Sequence, residues 1–428
     1  MSYKQYGDYK ESEIHWAMQI PTHWNISKLK RIFKFEKGKN SNILTEEYVK
    51  SNEGPYPVYS GQTKNNGILG SIDSYEYDFK NNVILVTTVG AKAMTTFLIK
   101  NKLSLSQNCA LIKLKSDDDW SDYYYYLCKI LFNYERGLIP DIMQPSLRIG
   151  DLNMYNIIKP PLEEQKQIAN YLDKKTAKID ATIAKNEELI QLLEEKRVAL
   201  INQVVTKGLN LDVPMKDSGV EWIGEIPEHW EIDCLKHNVS LNAMTLTDTT
   251  DNNYEFDYVD IGSVSLENGI EKYEHMHFED APSRARRIVK KDDVIISTVR
   301  TYLKAIAIIP DKKNIIVSTG FAVLTPTKIN SRYLGYMVKS EYFTNLVSAY
   351  SVGVSYPAIN STDLINLDIL IPSDEEQKQI ADYLDAEISD INTIINKVSD
   401  NIRLLEEYKT SLIHHVVTGK IDVRGEEI

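Results

Sequence analysis

The seven residues EEQKQIA stand at Glu163–Ala169 and again, unchanged, at Glu375–Ala381, 212 positions later in a chain of 428. At the same offset Pro145 matches Pro357, Asp151-Leu152 match Asp363-Leu364, and Tyr171-Leu172-Asp173 match Tyr383-Leu384-Asp385. The register continues without a gap through Leu192-Leu193-Glu194-Glu195 with Leu404-Leu405-Glu406-Glu407, and Val204-Val205-Thr206 with Val416-Val417-Thr418. A second repeat opens each half, IPTHW at Ile20–Trp24 and IPEHW at Ile226–Trp230. Self-similarity over such a span marks a duplicated unit, and the chain reads as block, helix, block, helix.

Following the seam outward from Ile168, the positions Leu172, Lys175, Ile179, Ile183, Asn186, Ile190, Leu193, Arg197, Leu200 and Val204 take the three- and four-residue steps of a coiled coil. An extra four-residue step at Ile179–Ile183 reads as a stutter. The second copy runs Ile380, Leu384, Glu387, Ile391, Ile395, Val398, Ile402, Leu405, Lys409, Leu412 and Val416. Ser373 with Glu376 forms a capping-box pattern, Pro160-Pro161 precede the first helix, and Gly208 and Gly419 stand where the two should stop. The first helix, about 45 residues, would be roughly 67 Å long. Antiparallel pairing with its twin would relate the halves by a pseudo-twofold axis. Setting Ile168 against Val416 would bring Arg197 to Glu387 and Lys175 to Lys409.

The intervening blocks read as mixed and strand-rich, making the whole α+β. Asn81–Gly90 and Asp292–Thr301 are expected to be equivalent buried strands, with further strands at Asn108–Leu114, Ile315–Thr325 and Asn156–Lys159. Lys64–Ser71 reads as a turn, and Tyr123–Leu131 as a helix with a half-buried aromatic face. The expected domains are residues 1–160, a helix over 161–210, residues 211–372, and a second helix with its tail over 373–428.

Composition sets the outer limits. With 43% hydrophobic and 26% charged residues the chain is of soluble globular type. It lacks a long apolar run for a membrane span and a signal-peptide core at its N-terminus. Cys109, Cys128 and Cys234 form no disulfide pattern, so the cytoplasm is the expected compartment. The net charge of −12 is unevenly spread: residues 21–160 carry +4, whereas residues 373–428 carry −7. Acidity on the last helix leaves room for a basic surface elsewhere.

Enzyme motifs are wanting. Lys159-Pro160-Pro161-Leu162 lacks the amide or carboxylate and the ring that an adenine methyltransferase tetrapeptide needs, and no GxxxxGK[ST] loop occurs. Pro140-Asp141 followed by Glu164-Gln165-Lys166 has the letters of a nuclease, but its Glu-x-Lys falls in a helix, where alternate residues diverge. The histidines show no metal-ligand spacing. His23 and His229 of IPxHW are expected to pack.

This layout resembles the DNA specificity subunits of type I restriction–modification enzymes. The resemblance is carried by EEQKQIANYLD at Glu163–Asp173, EEQKQIADYLD at Glu375–Asp385, DSGVEWIGEIPEHW at Asp217–Trp230 and YPVYSGQTKNNGILG at Tyr56–Gly70. It implies a non-catalytic chain without cofactor or metal. Two target recognition domains would each read half of a bipartite, asymmetric site on double-stranded DNA. Two methyltransferase subunits would dock on the helices, and restriction subunits would join that core. The alternatives are a protein-interaction scaffold that has lost DNA recognition and a recognition subunit of an unrelated DNA enzyme.

Base readout needs hydrogen-bonding side chains and phosphate contact needs cations. The candidates in the first block are Lys37, Lys39, Tyr59, Ser60, Gln62, Lys64, Asn65, Lys92, Gln107 and Asn108. In the second they are Arg284, Arg286, Arg287, Lys291, Arg300, Tyr302, Lys304, Ser355 and Tyr356. Two copies of one partner can bind a single chain if it offers one surface twice. Glu163, Lys166 and Gln167 with Glu375, Lys378 and Gln379 are the candidates for that surface, expected to face solvent, and Glu164 and Glu376 join them as partner-binding candidates.

Overall fold

The computed structural model describes residues 3–140, 142–220 and 223–426, so Asp141 of the Pro-Asp pair and Glu221-Trp222 of the second opener lie outside the described residues. The chain divides into two units, Met1–Asn186 with Asp400–Ile428, and Glu187–Ser399. Each unit therefore takes one block together with the head of one long helix and the tail of the other.

In the first unit a six-stranded mixed sheet runs in the order Phe33–Glu36, Cys109–Leu114, Tyr77–Thr87, Thr96–Leu105, Glu53–Tyr59, Ile68–Ile72. Only the pairing of Glu53–Tyr59 with Thr96–Leu105 is parallel among its neighbours. Its central strand has an unbroken apolar run, Val83–Val86, because both faces are covered. Ile84 and Val86 face the core shared with the helices, and Val83 and Leu85 face a second core with Leu103 and Leu111. Alternation of side chains along a strand produces this division. The helix Ser121–Gly137 buries Tyr123, Tyr124, Tyr126 and Leu127 against the first core.

The second unit holds two four-stranded sheets. One runs Val239–Leu241, Phe321–Pro326, Val294–Ser297, Ile306–Ile308, and the other Glu274–His277, Glu255–Val259, Ile315–Ser318, Ala285–Ile288. The expected strand Ile315–Thr325 is thus two strands of different sheets, broken at Thr319-Gly320. Again Val294 and Ile296 face the helices while Ile295 faces a separate core.

The long helices span Leu162–Lys207 and Asp374–Val417, and no helix among the described residues is long and apolar enough to cross a membrane. A short antiparallel ribbon, Asn25–Lys28 with Asn156–Lys159, leads into the first, and its counterpart, Glu231–Cys234 with Asp368–Ile371, leads into the second. The ribbons carry Trp24 and Trp230, both fully buried, to the first turn of each helix.

The helices pair antiparallel, in a register that differs from the expected one. Lys409 donates to Asp180 and Arg197 Nη1 to Asn392 Oδ1 at 2.9 Å. These contacts are equivalent, since Asp180 and Asn392, and Arg197 and Lys409, are related by the 212-residue offset. Lys409 thus meets a carboxylate and not Lys175, whose ammonium sits over the Tyr171 ring. The stutter also moves. Thr176 is buried and Lys175 exposed, so the extra four-residue step falls at Leu172–Thr176. The capping box is half made. The Ser373 hydroxyl accepts from Glu376 N–H, but the Glu376 carboxylate turns to His229 instead of back to the cap.

Both helices stop at a left-handed glycine, Gly208 (φ 73°) and Gly419 (φ 72°). A Cβ on Gly419 would lie 2.5 Å from the Pro21 ring, whereas one on Gly208 would meet Glu376 Oε1 at 3.1 Å and Trp230 at 3.3 Å. A proline ring cannot yield as a carboxylate can. Gly419→Ala should cost about 2–4 kcal/mol, from left-handed strain plus overpacking, and Gly208→Ala only about 1–2 kcal/mol. Urea unfolding of the two variants measures the difference, and equal midpoints would contradict it.

Candidate nucleic-acid interface

The first turn of each long helix is where the repeated motif acts, and part of it faces inward. Gln165 is fully buried. Its Oε1 accepts from Trp120 N–H at 2.8 Å, and its Nε2 donates to Pro160 O at 2.9 Å and Asp119 Oδ1 at 3.0 Å. Gln377 repeats the arrangement, accepting from Asn330 N–H at 2.8 Å and donating to Pro372 O at 2.9 Å. Glu164 is a correction to the partner-binding candidates. It is buried, and its carboxylate accepts from Trp24 Nε1 at 2.9 Å and Tyr6 OH at 3.0 Å, with His23 Nε2 at 2.7 Å. Desolvation and the neighbouring carboxylate push the Tyr6 phenol upward. Glu376 is half-buried on His229 Nε2 at 3.0 Å, while the Trp230 indole N–H has no partner. The histidines of IPxHW therefore bond to the helix, beyond simply packing. Glu163, Gln167, Glu375, Lys378 and Gln379 remain exposed, and Lys166 is half-exposed, paired to Glu163 and lying over Trp120.

In the first unit, loops flanking the strands of the six-stranded sheet are tied to one another by hydrogen bonds and bring most of the candidates together. Gly61 N–H donates to Gln107 O, Ser106 N–H to Tyr59 O, and Thr88 N–H to Asn108 O. Gln107 Nε2 donates to Asn42 Oδ1, and the Lys39 ammonium lies 5.8 Å from the centre of the Tyr77 ring, whose hydroxyl donates to Lys37 O. Lys92 O accepts from the Thr87 hydroxyl. Lys37, Lys39, Lys64, Asn65, Lys92, Gln107 and Asn108 are exposed there. Ser60 is a correction: it is buried, with its hydroxyl accepting from Gln62 N–H, so it shapes the loop. Gln62 is half-buried and donates to Ile68 O, and Tyr59 is half-buried, its phenol pushed up by desolvation.

In the second unit the corresponding loops are those of Arg300, Tyr302 and Lys304 and of Ser355 and Tyr356, and of these residues Arg300 and Tyr356 are in contact. Thr301 N–H donates to Pro357 O at 3.2 Å, Ile359 N–H to Thr298 O at 2.9 Å, and the Arg300 guanidinium lies 5.3 Å from the centre of the Tyr356 ring. Arg300 (φ 52°) and Lys304 (φ 46°) are both left-handed, strain of a kind that collects at functional sites. The first unit has Gly90 at the corresponding place, with N–H donating to Pro145 O at 3.1 Å, and Leu147 N–H donating to Thr88 O at 2.8 Å.

The basic run of the second block does not form one cluster. Lys291 precedes the strand Val294–Ser297 that Arg300 follows, and it pairs with Asp311. Arg284 donates to Tyr258 OH and Asp260, which hold its guanidinium more firmly protonated. Arg286 lies over the Phe278 ring, and Arg287 donates to Thr245 with its Nε buried and unpaired, its pKa lowered by desolvation. Adjacent residues on a strand face opposite ways, which scatters a run that is dense in sequence. What the residue types alone missed is the segment from Pro145 to Leu147 and its counterpart from Pro357 to Ile359, which strap the loops. The signal was the Pro145/Pro357 match. Among the described residues no cluster suits a metal ion.

The chain matches the family model for the type I restriction modification DNA specificity domain twice, over residues 21–191 and 227–404. The specificity subunit of the type I restriction enzyme MjaVIII of Methanocaldococcus jannaschii is 27% identical over 440 residues, spanning 97% of this chain and 98% of that protein. That of the type I enzyme MpnII of Mycoplasma pneumoniae is 29% identical over 179 residues, 40% of this chain and 50% of the relative. Among solved structures, a chain from work on complex assembly and conformational transition of the type I restriction–modification system superposes with TM-score 0.63 at 15% identity, covering 93% of this chain and 98% of its own. The HsdS subunit of Thermoanaerobacter tengcongensis superposes with TM-score 0.53 at 15% identity, over 96% and 100%. These two likenesses are of fold.

Burial separates the roles within the repeated motif. Gln165→Ala and Gln377→Ala should each destabilise by about 2–3 kcal/mol, because each strands buried partners. Gln167→Ala and Gln379→Ala should stay within about 0.5 kcal/mol of the parent. Denaturant titration of the four variants tests this, and a uniform response would overturn the division.

Proposed function

The chain belongs to the type I restriction–modification DNA specificity family, and from that premise we propose that it reads a bipartite, asymmetric DNA site, one half per domain. On this reading its helices carry two adenine methyltransferase subunits, which restriction subunits join. The family is one of specificity subunits, which are non-catalytic, and the compartment is the one that holds the DNA, the cytoplasm.

The observation that carries the reading is the recurrence of one construction around different side chains. In each unit a strand loop is strapped by a proline-containing segment, yet the exposed residues differ: Lys37, Lys64, Asn65, Lys92, Gln107 and Asn108 in one, Arg300, Tyr302, Ser355 and Tyr356 in the other, where Lys304 is half-buried. Unlike heads on like frames suit two unlike half-sites. Cations supply phosphate contact and the amides, hydroxyls and guanidinium supply base contact. Partners would add much of the phosphate neutralisation that an acidic chain lacks.

Twin partners need twin surfaces. The exposed Glu163 and Gln167 recur as Glu375 and Gln379, with Lys166 recurring as Lys378. A second duplicated feature supports the same reading. Glu406, Glu407, Thr410, Ser411 and His414 border a groove in the first unit, and Glu194, Glu195, Val198, Ala199 and Asn202, their equivalents at the 212-residue offset, border one in the second.

Co-expression with a type I methyltransferase subunit, followed by sequencing of methylated adenines, tests the function. A bipartite motif is expected, and the absence of any motif would favour a scaffold that has lost DNA recognition. Spacing gives a sharper outcome. A heptad inserted within Lys178–Lys196 and at the equivalent place in the second helix adds about 10.5 Å, so the unspecified gap should lengthen by about 3 base pairs. An unaltered gap in an active variant would contradict a ruler built from the helices.

A further inference from the structure

The two straps end in tips that the proposed interface leaves unexplained. In the second unit Val352 is 81% exposed and Val354 103%, as open as in an extended peptide, with Gly353 (φ 114°) between them. In the first unit Ile142 is 95% exposed and Met143 59%. Neither tip is loose chain. Val352 bridges Ala358, which bridges Val299, and the Thr301 and Ser351 hydroxyls lie 2.8 Å apart; in the first unit Ser146 bridges Val89. Two separately built domains thus each hold bare apolar groups out to solvent beside their recognition loops.

We infer that these tips are specificity elements that read thymine through its C5-methyl group. The inference rests on the base-reading function proposed above. An isopropyl or sec-butyl group has nothing to offer a phosphate, and among the groups on base edges in the major groove the thymine methyl alone is apolar. Two valines flanking a glycine are too small to anchor a protein interface, which needs a large buried aromatic or arginine centre. The neighbours point to DNA: the Arg300 guanidinium lies against the Tyr356 ring, two residues beyond Val354. Arg300 and Tyr302 supply polar contacts alongside, leaving the tip to discriminate by shape and apolar fit. Ile142 serves the same purpose in the first half-site.

The test uses the full chain in complex with a methyltransferase subunit and duplexes carrying its mapped site. Each thymine is replaced in turn by deoxyuridine, which pairs identically but lacks the methyl group. One position in a half-site should lose roughly fourfold in affinity, the worth of one buried methyl. Val354→Ala should lower affinity for the thymine duplex by a similar factor and no longer distinguish thymine from uracil there; Ile142→Ala should do so in the other half-site. Both residues are exposed, so folding is not at issue. Uracil tolerated at every position by the parent, or a thymine preference that survives in the variants, would each overturn the inference while leaving base reading intact. A parent complex with no sequence preference at all would instead remove the function on which it rests.

Discussion

The buried amide at the start of each long helix is the constraint on which the remainder of the molecule depends. Gln165 and Gln377 each bond the backbone of their own recognition domain and the carbonyl just before the helix. An unpaired amide in such a place is costly, so helix and domain must dock in one way. Glu164 strengthens the first junction with the Trp24 indole and the Tyr6 hydroxyl. Further along the helix, Asp173 accepts from Tyr126, and Asp385 accepts from Tyr336 and Arg332. Each domain is thereby fixed in orientation to the helix that leaves it.

This docking explains why polar residues stay identical across halves whose exposed loops have diverged. Apolar packing tolerates exchange of similar volumes, whereas a side chain bonded on both its oxygen and its nitrogen admits little else. Freed from that burden, the loops can vary. They carry the strained Arg300 and Lys304, the half-buried Gln62, and the apolar tips, and their backbones are strapped by bonds that ask nothing of side-chain identity. A frame that fixes backbone and leaves side chains open suits the proposed reading of a different half-site by each domain.

Much of this was legible before any coordinates. The duplication, the two helices, their glycine stops and the strand at Asn156–Lys159 follow from local rules: period, left-handed glycine and β-branched runs. The family resemblance was legible for the same reason, because it rests on the order of repeats. The site was legible less evenly. Lys37, Lys64, Gln107 and Asn108 lie on loops that remote bonds draw together, such as Gly61 N–H to Gln107 O, Thr88 N–H to Asn108 O and Tyr77 OH to Lys37 O. Lys291 and Arg300, nine positions apart, do not, because a strand separates them.

Sequence by itself therefore determined the architecture: a doubled plan of strand-rich block and long helix, encoded in repeats and periodicity that act over a few residues. Tertiary structure alone decided which polar residues of that plan face inward. Glu163, Glu164 and Gln165 are consecutive and chemically alike, yet one lies in solvent and two are buried. The helix turns about 100° per residue, and what each direction meets, water or the Trp24 and Trp120 segments, is set by docking of remote chain. The helical register was likewise settled only in the folded pair, where Lys409 meets Asp180 and Arg197 meets Asn392.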